Sequence, residues 1–291
     1  MDQASLTSTA TATAAPPEAR ERVCSPEALC ASNLCLAYRD RVVVQDACLS
    51  LVCGEVLALV GPNGSGKSTL LRAMARLHRP DAGELSVDGV AADQLSPRGF
   101  ARLVTLLSQS QPVPSGMSVR DIVAYGRHPH RGRWGGSDPG AEAAIARAME
   151  MTGITHMADR SADQLSGGEL QRVWLATCLA QDTKVLLLDE PTSHLDLRYQ
   201  VETLELVREL ADEHGVAVGI VLHDLNQAAA LADRLALVHQ GKLVAVGTPE
   251  TVLTSEILTE VYGIPVAVAP DPVTGSLTIR PLGRRNQNNS S

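Results

Sequence analysis

Gly61, Gly66, Lys67 and Ser68 follow the spacing G-x-x-x-x-G-K-[ST], with Pro62, Asn63, Gly64 and Ser65 between them and Thr69 immediately after. The segment lies between the apolar run at 56–60 and a stretch whose apolar residues recur at helical intervals. A glycine-rich turn in that context can aim successive backbone N–H groups at a chain of phosphates, and the start of the helix adds the positive end of its dipole. Lys67 is placed to reach the outer phosphates and Ser68 to offer a hydroxyl to Mg²⁺. These residues point to a nucleoside triphosphate with magnesium.

A second apolar run, KVLLLDEP at 184–191, ends in two acids. Ligands collect beyond the C-terminal ends of parallel strands, so Asp189 and Glu190 are expected beside the glycine-rich turn. Asp189 fits the holding of Mg²⁺ through its water shell, and Glu190 fits the polarising of an attacking water. At 165–172 the chain reads LSGGELQR. Ser166, Gly167, Gly168 and Glu169 at a helix start make another anion-binding N-terminus. A second phosphate grip makes sense when it faces the nucleotide of another subunit.

The elements that must position these groups are legible in outline. Strands are expected at 34–40, 41–52, 55–61, 84–89, 103–109, 184–191, 215–224 and 234–247. Leu70, Leu71, Met74 and Leu77 fall on one face of the helix that follows the glycine-rich turn. Between about 111 and 178 strand patterns give way to helical ones. Apolar strands alternating with helices imply a parallel sheet covered on both faces, with a helical block inserted into it.

Composition narrows the function classes. The chain has 291 residues, 44% of them hydrophobic and 20% charged, which fits a globular protein. Aromatic residues make up 2% and the formal net charge is -8, which together disfavour a nucleic-acid partner. The six cysteines form no CxxC pair, so reduced thiols are expected rather than a metal cluster. No apolar run approaches the roughly 18 residues of a membrane span. The N-terminal segment lacks the apolar centre of a signal peptide and reads as a disordered cytosolic tail.

With these motifs in this order, the chain resembles an ATP-binding cassette (ABC) ATPase from about Asn33 to Pro281. The resemblance implies an α/β fold: a P-loop NTPase (RecA-like) core, a β-rich N-terminal ATP-binding subdomain and an inserted α-helical subdomain. The expected division is a tail over 1–30 and a cassette over 31–282, with a second tail over 283–291. Within the cassette, 31–110 and 179–245 would form the nucleotide-binding core, 111–178 the helical subdomain and 246–282 a C-terminal extension. It also implies a head-to-tail dimer in which two ATP molecules lie between the P-loop of one subunit and the Ser166 to Gly168 segment of the other.

Further roles follow from the same resemblance. Tyr38 is similar to the aromatic that stacks on adenine. Gln109 resembles the glutamine that reaches Mg²⁺ and the attacking water, with Gln111 as a neighbouring alternative. Asp196 resembles the acid that links the two sites, and His223 in IVLHD the histidine that contacts the γ-phosphate and positions Glu190. The remaining histidines, among them His78, His156 and His239, are expected at the surface. One cassette without a membrane span implies a peripheral subunit on the cytoplasmic face of the cell membrane. Its partners would be an integral-membrane permease dimer and an external substrate-binding protein.

The segment at 117–134 is similar to that of ATPases serving importers of iron-siderophores, haem and cobalamin, through Val123, Gly126, Arg127 and Pro129. The alternative for this segment is a helix ending at Gly126 followed by a basic surface loop. Ferric siderophore is the expected cargo, with haem and cobalamin next. An exporter ATPase and a soluble non-transport ABC protein are the more distant alternatives.

Overall fold

The computed structural model describes residues 27–39, 41–109, 111, 115–132, 136–193 and 195–283. The expected tails fall mainly on residues 1–26 and 284–291, outside the described residues. One boundary is corrected: β1 (Glu27–Tyr38) begins inside the range expected as a tail, and its Ala28 and Leu29 are fully buried. These few residues carry no period of their own, and only pairing with strands on both sides makes them a strand.

β1 sits in an antiparallel sheet of order β2 (Arg41–Val52), β1, β4 (Ala82–Val87), β5 (Val90–Ala91). The central sheet has the order β10 (Lys242–Gly247), β9 (Arg234–His239), β3 (Val56–Val60), β8 (Ala217–Val221), β7 (Val185–Asp189), β6 (Val104–Leu107). All its pairings are parallel except the β9–β10 hairpin. Every residue of β3, β7 and β8 is buried, as a sheet covered on both faces requires.

Alternation along those strands divides the interior in two. Val56, Ala58 and Val60 face one core, with Leu186, Val218 and residues of α6 (Leu197–Asp212) and α7 (Leu225–Leu231). Leu57 and Leu59 face the other, with α1 (Lys67–Met74), α2 (Pro97–Ala101) and the antiparallel sheet. Leu70, Leu71 and Met74 of α1 are fully buried, but Leu77 is 69% exposed. The helix stops before it, and Arg76, at φ 58°, turns the chain away from the core.

α3 (Val119–Tyr125), α4 (Ala141–Met151) and α5 (Gly167–Ala180) form the inserted helical unit around Ile122, Ile145, Met149 and Val173. Its entry is welded to the core. A Cβ on Gly126 would lie 2.1 Å from the Thr177 carbonyl oxygen, so α3 and α5 meet at backbone distance. Arg127, 6% exposed, donates to both carboxylate oxygens of Asp138 at 2.8 and 3.1 Å and to the Ala180 carbonyl at 2.9 Å. The Pro129 carbonyl accepts from Arg98 and Arg102 at 3.0 and 2.8 Å. Gly126 and Arg127 are thus buried and Pro129 partly so, with His128 exposed between them, so the segment is not a free basic loop.

After the core, α8 (Pro249–Val252) and α9 (Ser255–Tyr262) lead to an unanticipated hairpin of β11 (Val266–Pro270) and β12 (Leu277–Pro281). Among the described residues no helix is long and apolar enough to cross a membrane.

Candidate active site

The loop between β3 and α1 is built on glycine for steric reasons. Gly61 has φ 140°, and a Cβ there would stand 2.0 Å from the Val238 carbonyl oxygen. Gly66 has φ 109° and would meet the Val43 carbonyl oxygen at 2.8 Å. Lys67 folds its ammonium back across the loop, donating to the carbonyls of Gly61 and Pro62 at 2.8 and 2.9 Å. Burial pulls its pKa below the usual lysine value, against the opposing pull of Glu190 and Asp189. The buried hydroxyl of Ser65 has no hydrogen-bond partner among the described residues, so the loop holds an unspent donor beside Lys67.

Asp189 ends β7 with no exposed surface. One of its carboxylate oxygens accepts from the Ser68 hydroxyl at 2.7 Å, and the other faces Arg72 at 3.4 Å. A hydroxyl and a carboxylate so close together form a hard-oxygen set of the kind a Mg²⁺ ion takes. Glu190 follows in the left-handed region at φ 55°. Its carboxylate is gripped from three sides: the Gln109 amide donates at 2.6 Å, the Ser193 hydroxyl at 3.1 Å, and His223 Nε2 lies 2.5 Å away. Gln109, Glu190 and His223 line one cleft of about 400 Å³ together with Gly64, Lys67 and Thr69.

A neighbouring cleft of about 570 Å³ shares Asn63 and Gly64 with the first and continues to Tyr38 and His239. The Tyr38 ring is 48% exposed and leans on His78 at a centroid distance of 4.6 Å. His239 is half-buried at this cleft and His78 half-buried against the Tyr38 ring, whereas His156 is exposed as expected. None of Ser166, Gly167, Gly168 and Asp196 lines either cleft. Ser166 caps α5, its hydroxyl accepting from the Glu169 N–H at 3.3 Å while the Glu169 carboxylate accepts from the Ser166 N–H at 2.8 Å. Asp196 caps α6 by accepting from the Tyr199 N–H at 3.0 Å.

Residues 44–193 match the family model described as ABC transporter. The ferric enterobactin transport ATP-binding protein FepC of Escherichia coli K12 is 42% identical over 255 residues, 87% of this chain and 93% of that protein. The chain belongs to the ABC transporter family. The iron(3+)-hydroxamate import ATP-binding protein FhuC of Bacillus subtilis 168 is 40% identical over 84% of this chain and 91% of its own length. Among solved structures, the chain of a metal-chelate type ABC transporter in an inward-facing conformation superposes with a TM-score of 0.77 at 30% identity, covering 89% of this chain and 99% of that one. The protein is an ABC ATPase of P-loop NTPase fold.

Motif reasoning missed two side chains of this ABC site. Ser193 sits one turn after Glu190, and its hydroxyl proximity was readable only as a small polar residue in DEPTS. Arg72 gave no signal, because its approach to Asp189 depends on how α1 packs on β7.

The signature segment carries a pH-dependent contribution. Backbone and side-chain hydrogen bonds from Ser166, then Arg160 at 2.8 Å, hold Glu169 down at about 2, below its ordinary 4.5. A carboxylate with a depressed folded-state pKa stabilises above its unfolded value and loses that contribution as pH falls through the folded one. Between pH 5 and pH 2.5 the wild type is expected to lose more thermal stability than Glu169→Gln, whose cap does not titrate. Parallel melting curves that fall equally for both proteins would contradict this assignment.

Proposed function

We propose that this ABC ATPase powers a ferric-siderophore importer, as a head-to-tail dimer bound beneath an integral-membrane permease. The observation that carries the catalytic part is the Glu190 carboxylate, held between Gln109 and His223 at the mouth of the P-loop cleft. A carboxylate fixed at that point can take a hydrogen bond from a water and aim its lone pair at a terminal phosphorus. The loop backbone at 61–66, with Lys67, Ser68 and Thr69, binds the phosphates of ATP. Lys67 exchanges the Gly61 and Pro62 carbonyls for phosphate oxygens, regaining full charge compensation for a buried ammonium. The exposed Tyr38 face receives the adenine, and Gln109 and His223 keep Glu190 pointed at the reaction centre.

Ser68, Asp189 and Gln109 are the residues that would hold Mg²⁺, which supplies charge neutralisation for the phosphates when bound. Ser166, Gly167 and Gly168, absent from the clefts of their own chain, present the N-terminus of α5 to the partner's ATP, with Asp196 alongside. Binding of ATP then closes the dimer, and loss of the terminal phosphate reopens it. The permease rests on the helical unit at the cytoplasmic face of the membrane, and an external binding protein selects the cargo.

The cargo reading is supported by the likeness to FepC and FhuC along most of the chain. It is tested by uptake of radiolabelled ferric siderophore in cells whose only copy is Glu190→Gln, with labelled cobalamin in parallel. Iron uptake is expected to disappear while cobalamin uptake continues. Unchanged iron uptake would overturn the siderophore assignment and redirect it to cobalamin or haem.

A further inference from the structure

Glu190 is a non-glycine residue at φ 55°, a backbone state that persists only where its surroundings fix it. Upstream the sheet does so: Asp189 pairs with Val221, and the Glu190 N–H donates to the Val221 carbonyl at 3.2 Å. Downstream, the described residues Pro191, Thr192, Ser193 and Leu195 have no sheet neighbour, and side-chain amides from three helices take that place. Gln171 of α5 donates to the Pro191 carbonyl at 3.2 Å. Gln200 of α6 donates to the carbonyls of Leu195 and Thr192 at 3.1 and 3.4 Å. Gln227 of α7 donates to the Gln200 amide oxygen at 3.1 Å and accepts from the Thr192 hydroxyl at 3.4 Å. An amide suits this role because it carries donor and acceptor without charge, and so satisfies buried carbonyls at no cost in ion desolvation.

We propose that Gln171, Gln200 and Gln227 are positioning residues for Glu190, and that Gln171 transmits the position of the signature helix to it. The proposal rests on the reading of Glu190 as the water-orienting group and of Ser166 as the grip on the partner's ATP. It adds the residues that join them. α5 also touches α6, which follows that segment: the Arg172 guanidinium lies 4.6 Å above the Tyr199 ring, and a Cβ on Gly168 would stand 3.4 Å from that same ring. α5 is a rigid rod from its Ser166 cap onward. A displacement of Ser166 by one nucleotide therefore moves the Pro191 carbonyl, the atom group next to the carboxylate that serves the other nucleotide. Each subunit thus connects the two sites through α5, with the Gln171 hydrogen bond as its contact to the Pro191 carbonyl.

The test uses the full-length ABC ATPase and reads turnover against ATP concentration, nucleotide affinity by a fluorescent ATP analogue, and thermal unfolding. Glu190→Gln comes first. Should it turn over like wild type, the reading of Glu190 fails and the proposal with it, whatever Gln171 does. With that loss established, Gln171→Glu keeps the volume and removes the N–H donor. It is expected to lower kcat by about tenfold or more, as a misplaced catalytic group does. ATP affinity should stay unchanged, and the Hill coefficient should fall to one. Gln200→Ala should lower kcat while retaining the Hill coefficient, because it holds the segment without touching α5. A folded Gln171→Glu protein with wild-type kcat and Hill coefficient would overturn the proposal. So would a fall in melting temperature with kcat and cooperativity intact, which is the signature of a merely structural bond.

Discussion

Glu190→Gln is expected to bind ATP as wild type does, to turn it over about 10²- to 10⁴-fold more slowly, and to elute as a dimer in ATP and magnesium. The substitution changes one oxygen for an NH₂ and preserves shape. Its remaining carbonyl oxygen can keep the Gln109 amide bond, and its NH₂ can face His223, so the cleft retains its walls. What disappears is the negative charge that the proposed mechanism uses to orient a water. Lys67, Ser68 and the glycine backbone at 61–66 are untouched, so affinity for the ground state stays. A closed dimer that cannot lose the terminal phosphate has no route to reopening. Gel filtration that returned only monomer, with turnover abolished, would separate a hydrolysis defect from the closing-dimer mechanism and count against the latter.

The second large effect is on stability. Arg127→Ala leaves the Asp138 carboxylate, 9% exposed, without its bidentate partner, and frees the Ala180 carbonyl at the end of α5. Breaking a buried pair by removing one member costs about 3–5 kcal/mol. In a chain of this size that corresponds to a drop in melting temperature on the order of 10 °C. The Arg127 hydrogen bonds hold Asp138 below its ordinary 3.8, so this contribution is present above the unfolded value and is lost as pH falls toward the folded one. In Arg127→Ala the acid-side loss should be smaller, because less remains to lose. The double change Arg127→Met with Asp138→Leu should recover most of the deficit, since apolar groups of similar size replace a buried pair at little net cost. A single mutant that melts with the wild type would show that this pair does not fix the segment after α3 to the end of α5.

These two cases also show what was readable before folding. Glu190 was legible because phosphate chemistry demands fixed types at fixed spacing: a glycine turn with Lys67 and Ser68, then acids at the end of an apolar strand. The parallel sheet was legible because β3 and β8 are apolar throughout and β7 is apolar up to its terminal Asp189. Arg127 reads from sequence as a mark of a transporter subgroup, with a basic surface loop as the alternative; the structure makes it an interior cation with a buried partner, against the surface loop. Burial of an arginine depends on Asp138 and on the end of α5, neither adjacent in sequence, so no local pattern announces it. The β11–β12 hairpin, the first residues of β1 and the three glutamines around 191–195 share this property. Each is defined by what another element brings to it. Leu77 failed in the opposite sense: its period fits α1, but a left-handed Arg76 ends the helix first.

The claim on which the account depends is that each catalytic site is shared between two chains. Lys67→Ala disables the P-loop half, and Ser166→Arg the signature half, so each homodimer should be inactive. Mixed one to one, half of the dimers pair a chain of each kind. In a head-to-tail dimer both defects then fall in one site and the other is intact, restoring about a quarter of wild-type ATPase activity if the sites act independently. That recovery, absent from either mutant alone, is the expected result. A mixture as inactive as its components, with mixed dimers demonstrably formed, would place P-loop and signature segment in service of the same nucleotide or none, and would contradict the account.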